Sequence, residues 1–219
     1  MQQQAVRDGR RARGDESRRT ILGQAIQSAT VDGLEGLTIG RLAAETGHSK
    51  SGIATLFGSR EQLQLATIEA ARAVFMEHVV APARAETAHG LARLCALISH
   101  WIAYSEDRVF RGGCFFAAAS VELDARPGVL RDAVVAISAE WEDYVTITIE
   151  RAMAAGELPR LDDARQLTFE IVSFLEAANT RSLLRESTEP YHRAAHAVRA
   201  RLVAAGADPE VVARIRAES

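Results

Sequence analysis

At 219 residues, with 47% apolar and only 5% aromatic side chains, the chain is long enough to bury a core, and its wealth of Ala, Leu, Arg and Glu favours helix over sheet. A net charge of −3 excludes a general nucleic-acid coat protein, and two cysteines, Cys95 and Cys114, exclude a disulfide framework. No signal-peptide pattern opens the chain and no apolar run approaches a membrane span, so a reduced, soluble, cytoplasmic protein is expected.

The charge is unevenly placed. Residues 1–60 hold nine Lys/Arg against six Asp/Glu, a net of +3, while the rest holds 17 against 23, a net of −6. A basic head on an acidic body suits a protein that meets phosphate at one end only.

Residues 1–14 are polar and basic without periodicity, and read as a flexible arm. Its Arg7, Arg10, Arg11 and Arg13 suit either a phosphate-tracking arm or a solvated tail. A first helix is expected from Asp15 or Glu16 to about Val31, with Ile21, Leu22, Ala25, Ile26 and Ala29 as its apolar stripe, stopped at Asp32-Gly33. Thr38 has the character of an N-cap for a short helix to about Thr46, and Gly47 that of a turn residue able to take positive φ. A second short helix follows, from about Ser49 to Phe57.

Two helices joined so tightly must cross steeply and in close contact. Leu42, small Ala43, Ile53, Leu56 and Phe57 supply the inner faces. Ser49, Lys50, Ser51, Gly52, Ala54 and Thr55 are left outward or at the helix start. They are small, polar or cationic, as a helix entering a DNA major groove requires. Lys50 is the only lysine in the chain.

Gly58-Ser59 breaks the chain, and Ser59 caps a long helix expected to run to about Val80 and to end at Pro82. Helices then continue without strands or repeats. One carries Leu91 to Ile102, a short buried one Cys114 to Leu123, and a long one runs from Pro127-Gly128 to about Ala155. Another runs from Asp162 or Asp163 to about Leu184, and one from Pro190 to near Gly206. Asp208-Pro209 opens a small helix over about 209–217. The organisation read from this is an arm (1–14), a three-helix head with a helix-turn-helix (15–60), an all-α body (61–206) and a terminal helix (207–219).

The head resembles the TetR family of bacterial transcriptional regulators. The resemblance covers roughly residues 18–65: R-R-T-I-L, G-L-x-G-L-T-I-G-R-L-A-A-E-T-G, S-K-S-G-I and F-G-S-R-E-Q-L, with weaker likeness in the body at R-G-G-C-F-F-A and R-A-M-A-A-G-E-L. It implies a homodimer with two DNA-binding heads, joined through the last two long helices, and an inducer pocket in each body. By that analogy Thr38, the start of the second short helix and Arg60 meet phosphate or bases. Two positions depart from the family pattern: His48 stands where an apolar residue is common, and Ala54 where a tyrosine often reaches the DNA backbone. The DNA-binding candidates are Thr38, His48, Ser49, Lys50, Ser51, Gly52, Ala54, Thr55 and Arg60.

Trp101, Tyr104, Phe110, Phe115, Phe116, Trp141 and Phe174 are the candidates for an apolar ligand pocket, although core packing explains most of them equally well. Cys95 and Cys114 read as small buried hydrophobes rather than a redox pair. His192 and His196 share a helix face, but without further ligands in the pattern they read as surface or dimer-seam residues. No phosphate loop, nucleophile elbow or metal-ligand spacing occurs, so no enzyme activity, cofactor or metal is expected. The expected function is a repressor that binds a palindromic operator as a homodimer and is released by a small-molecule inducer. A helical small-molecule-binding protein or enzyme with a vestigial head, or a head that binds protein, are the alternatives.

Overall fold

The computed structural model describes the backbone of residues 2–215 and the side chains of residues 14–215. Its order is α1 (Gln2–Asp32), α2 (Ile39–Thr46), α3 (Lys50–Phe57), α4 (Arg60–Phe75), a π turn (Met76–Val80), α5 (Ala81–Glu86), α6 (Gly90–Glu106), α7 (Phe115–Leu123), α8 (Val129–Ala154), α9 (Ala164–Arg185), α10 (Glu189–Ala204) and α11 (Pro209–Val212). No strand occurs among the described residues. None of their helices is long and apolar enough to cross a membrane.

The caps anticipated at Thr38, Ser59 and Asp208 are formed, Asp163 is the one that opens its helix, and Ser49 adds a cap not anticipated from the sequence. The hydroxyls of Thr38, Ser49 and Ser59 accept from the amides of Arg41, Gly52 and Gln62, and the Asp163 and Asp208 carboxylates do the same for Gln166 and Glu210. Each satisfies an amide that helix geometry leaves without an internal acceptor. Gly47 takes φ 71°, so the chain reverses between α2 and α3 without a Cβ clash.

Two expectations about boundaries are corrected. The segment read as a flexible arm is the first part of α1, which begins at Gln2 rather than at 15 or 16. Gly9 and Gly14 lower helix propensity there by roughly 1 kcal/mol each but contain no steric block, and the chain on either side is rich in Arg, Gln and Ala, which favour helix. The long helix after Ser59 does not stop at Pro82. A π turn precedes it, with the Ala81 amide donating to Met76 O five residues back, and α5 then carries the helix to Glu86. Widening the turn ahead of a proline relieves the clash its ring makes with the carbonyl four residues earlier.

The core is continuous from head to body. In the head, Ile21, Ala25, Ile26 and Ala29 of α1 bury against Leu42 and Ala43 of α2 and Ile53 and Phe57 of α3. α4 packs on α1 at its start and on α8 further along, so it belongs to both halves. Its buried Gln64 donates through Nε2 to Leu34 O (2.8 Å), which ties it to the loop between α1 and α2. In the body α6 lies against α8, α8 against α9, and α9 against α10. Gly206, with Ala205 and Ala207, lets α10 close against the loop after α8, where the Arg160 amide donates to Ala205 O (2.9 Å).

Candidate functional site

The outward end of the α2–α3 pair is built from backbone and short side chains. Thr38, Ser49, Lys50, Ser51, Gly52 and Thr55 are exposed, and His48 and Ala54 are half-buried. The Ser49 hydroxyl caps α3 and lies 3.3 Å from that of Ser51, while the Thr55 hydroxyl donates back to Ser51 O (2.8 Å). The His48 ring packs locally, with Nδ1 donating to Thr46 O (3.0 Å), so its Nε2 is the atom left to face outward. The Lys50 ammonium crosses α2 at Gly40, where an added Cβ would stand 3.6 Å from it. The N-termini of α2 and α3 add free amides and the positive ends of two helix dipoles, a setting for anions.

Most cations of the head are already engaged. Arg41 holds Asp32 (2.6 Å) and Glu45 (2.7 Å), and the Arg41 guanidinium beside Glu45 keeps that carboxyl below its usual range. Arg18 lies over the Phe57 ring (4.7 Å) and donates to Leu56 O at the end of α3. Arg60, expected on phosphate, instead folds back on the α1–α2 loop. It donates to Leu37 O (3.0 Å), Glu35 O and the Glu35 carboxylate. Two loop carbonyls with no helical partner sit within its reach, and they take the guanidinium. Among the described residues of the head, Arg19 and Lys50 are the cations that have no hydrogen-bond, ion-pair or ring partner.

The body contains a cavity of about 240 Å³ between α4, the π turn, α6, α8 and α9. Trp101, Phe116 and Trp141 line it, as expected, but Phe75, Met76 and Tyr144 do so too. Tyr104, Phe110 and Phe115 do not line it. They stand behind its wall in a closed ring of edge-to-face contacts with Phe75 and Phe116, centroids 5.3–6.5 Å apart. Phe174, also expected there, faces the groove between α9 and α10, because its helical position places it on the opposite side of α9 from Glu176. Polar groups join the wall: Arg72 bound to Glu140 (2.7 Å), with Arg84, Glu142 and Glu176. Desolvation, then the like charge of Glu142, raises the Glu176 carboxyl above its usual range.

Against that geometry, the model of the tetracyclin repressor-like C-terminal domain matches residues 90–198. A TetR transcriptional regulator from Chloroflexus aurantiacus J-10-FL superposes with a TM-score of 0.73 at 27% identity, over 84% of this chain and 92% of that one. The chain belongs to the TetR family of transcriptional regulators. A TetR-family regulator from Agrobacterium tumefaciens shares the fold (TM-score 0.76, 18% identity, 87% and 98% of the two chains). So does AibR, solved in complex with isovaleryl coenzyme A and operator DNA (TM-score 0.61, 22% identity, 75% and 86%). No curated protein matches the sequence.

In this TetR-family chain, cavity and head are linked by a hydrogen-bonded seam that the sequence did not disclose. Cys114, in the cavity wall, donates its amide to buried Asn179 Oδ1 (3.0 Å), which also accepts from Ser105 Oγ (2.8 Å). The loop just before it docks on α1. Gln27 donates to Val109 O and accepts from the Arg111 amide (2.9 Å each), and the Gly112 amide donates to Thr30 Oγ1 (3.2 Å). No side chain fits at Gly112, since a Cβ there would stand 1.9 Å from Thr30 O. Phe116 and Ala117 near the start of α7 line the cavity; at the other end Glu122 accepts from the amides of Leu34 (2.7 Å) and Glu35 (2.8 Å).

The remaining sequence candidates resolve simply. Cys95 and Cys114 are buried, unlinked thiols, pushed by desolvation up to about 12 and about 11, so neither is a thiolate near neutrality. His192 lies 3.9 Å from Glu106, and His196 is exposed. Among the described residues no cluster of His, Cys, Asp or Glu could hold a metal ion.

Proposed function

We propose that the chain is a ligand-responsive, DNA-binding transcriptional regulator that acts as a homodimer on a palindromic operator, as a repressor released by a small molecule bound in the body. The observation that carries this reading is the seam: one short helix, α7, touches the cavity at Phe116 and grips the head at Glu122. The residues on DNA are Thr38, His48, Ser49, Lys50, Ser51, Gly52, Ala54 and Thr55 at the α2–α3 end, with Arg19 as a further phosphate contact and Arg60 as a brace for the loop behind them. Domain limits of 15–60 for the head and 61–206 for the body follow the same division, with α4 shared.

Dimerisation is supported by apolar groups on the outer side of the last two long helices. Phe169 and Leu184 of α9 are 68% and 80% exposed, and Phe174, Ala177, Ala194 and Ala197 line a shallow groove beside them. A second copy on this face sets two α3 helices one helical turn of DNA (about 34 Å) apart. A ligand that changes that spacing leaves each head able to bind while losing the paired fit, and a coupling of ~1–3 kcal/mol changes occupancy by one to two orders of magnitude. AibR, which shares the fold and was solved in complex with isovaleryl coenzyme A and operator DNA, supports a chain of this fold binding both a small molecule and DNA.

Selection of bound fragments from genomic DNA, followed by titration of the selected duplex, tests the reading. Binding as a two-fold complex to a palindrome is expected. A monomer that ignores every fragment contradicts it.

A further inference from the structure

We infer that α3 selects thymine by its methyl group: the Thr55 side chain meets the C5 methyl of one thymine in each operator half-site, and this contact, rather than a paired hydrogen bond to a base edge, is the base-specific part of the readout. This rests on the reading of the α2–α3 end as the DNA-binding surface and adds what that surface distinguishes.

Helical spacing singles out Thr55. It stands two residues after Ile53 and two before Phe57, both buried. A step of two residues turns a helix by about 200°, so Thr55 lies across α3 from the core. Ser51 and Gly52, four and three residues earlier, complete the outer stripe, and all three are exposed. Lys50 is off that stripe. It stands three residues before Ile53 and seven before Phe57, on the side turned to α2, and its ammonium lies 3.6 Å from where a Cβ on Gly40 would stand. There, at the first turn of α2, it is placed for a phosphate rather than for a base. Ala54 is half-buried on the flank.

The stripe holds no side chain that reads a base through two hydrogen bonds. α3 contains no Arg, Asn or Gln, the residues that pair with guanine and adenine edges in the major groove. Its hydroxyls are partly used inside the helix. Ser49 Oγ accepts from the Gly52 amide (3.0 Å), and Thr55 Oγ1 donates its one hydrogen to Ser51 O (2.8 Å). That bond sets χ1 of Thr55, with the oxygen turned back along the helix and the methyl group left free. Ser51 keeps a hydroxyl, which suits any base and so selects none. With serine and glycine as its neighbours, the Thr55 methyl is the apolar group that the stripe offers to the groove. Thymine alone among the four bases carries a methyl group there.

The experiment is a uracil scan of the duplex selected from genomic DNA, with full-length protein. Deoxyuridine replaces thymidine one position at a time, in both half-sites together, which removes a methyl group and keeps every hydrogen bond of the base pair. One position should weaken wild-type binding about fourfold per half-site and about 15-fold for the two, the effect of one buried methylene-sized group in each. Thr55→Ser, which keeps the bond to Ser51 O and loses the methyl group, should bind the thymidine duplex about 15-fold more weakly and no longer respond at that position. Thr55→Val, which keeps a methyl group and loses the hydroxyl, should still respond. Both variants change an exposed side chain and are compared at unchanged helical circular dichroism. A scan in which no thymidine responds, a selected half-site without thymidine, a Thr55→Ser protein that still responds at the same position, or a Thr55→Val protein that does not, overturns the inference and leaves DNA binding standing. A protein that binds no selected fragment removes the DNA-binding reading itself, and the inference with it.

Discussion

Glu122→Ala tests the grip between α7 and the head. From Phe116 to Glu122 is six residues of helix, about 9 Å, so α7 is a short rigid rod with the cavity at one end and the α1–α2 loop at the other. The substitution deletes two charge-assisted hydrogen bonds, from Leu34 N (2.7 Å) and Glu35 N (2.8 Å). Bonds to an ionised acceptor contribute roughly 1.5–3 kcal/mol each when shielded, and the exposed Glu35 end lies at or below the bottom of that range. A combined loss of about 2–3 kcal/mol corresponds to a 30- to 150-fold fall in hydrogen-exchange protection of the loop amides. Native-state exchange, followed at Leu34 and Glu35 with an amide of α9 as reference, reads this directly. Glu122→Gln keeps one acceptor oxygen and should fall between. The operator affinity of Glu122→Ala should become insensitive to a compound that quenches Trp101 and Trp141. Unchanged protection at Leu34 and Glu35, or a full ligand response in the variant, would refute the role assigned to this carboxylate.

Gly112→Ala should lower stability to urea by about 2–4 kcal/mol, because the new methyl group meets the Thr30 carbonyl, a backbone atom that cannot rotate away. Gly23→Ala, on the open face of α1, meets nothing within 4 Å and should raise stability by up to about 1 kcal/mol, so the pair separates crowding from glycine content. Leu184→Glu, on the proposed dimer face, should shift the sedimenting species to the monomer and weaken operator binding, while the circular dichroism of the helices stays unchanged.

The helix-turn-helix was legible because each of its signals is local. Thr38, Ser49 and Ser59 cap within three residues of themselves, Gly47 needs no neighbour to favour positive φ, and the inner faces follow helical periodicity. What depends on distant pairing was not. Arg60 and Lys50 are both cations near the head surface, and only the fold reveals that Arg60 meets two open carbonyls and Lys50 meets none. Glu122, Glu142 and Glu176 look like any carboxylate on a helix, and their separate fates come from α1 on one side and the aromatic wall on the other. Phe174 has the same composition signal as Phe116, and a step of two residues along α9, about half a turn, separates its groove from the cavity that Glu176 lines. The passage through Pro82 needed the π turn before it, which no sequence period announces.

The salt dependence of binding to the selected duplex bears most directly on the claim that the α2–α3 end reads DNA. Arg19 and Lys50 from two heads make four phosphate contacts, for a log–log slope of about −3.6 and a loss on the order of 100-fold between 50 and 200 mM salt. Lys50→Ala should reduce the slope by about 1.8, two contacts for the dimer. A wild-type affinity that does not change with salt, or a Lys50→Ala slope identical to wild type, would contradict the account.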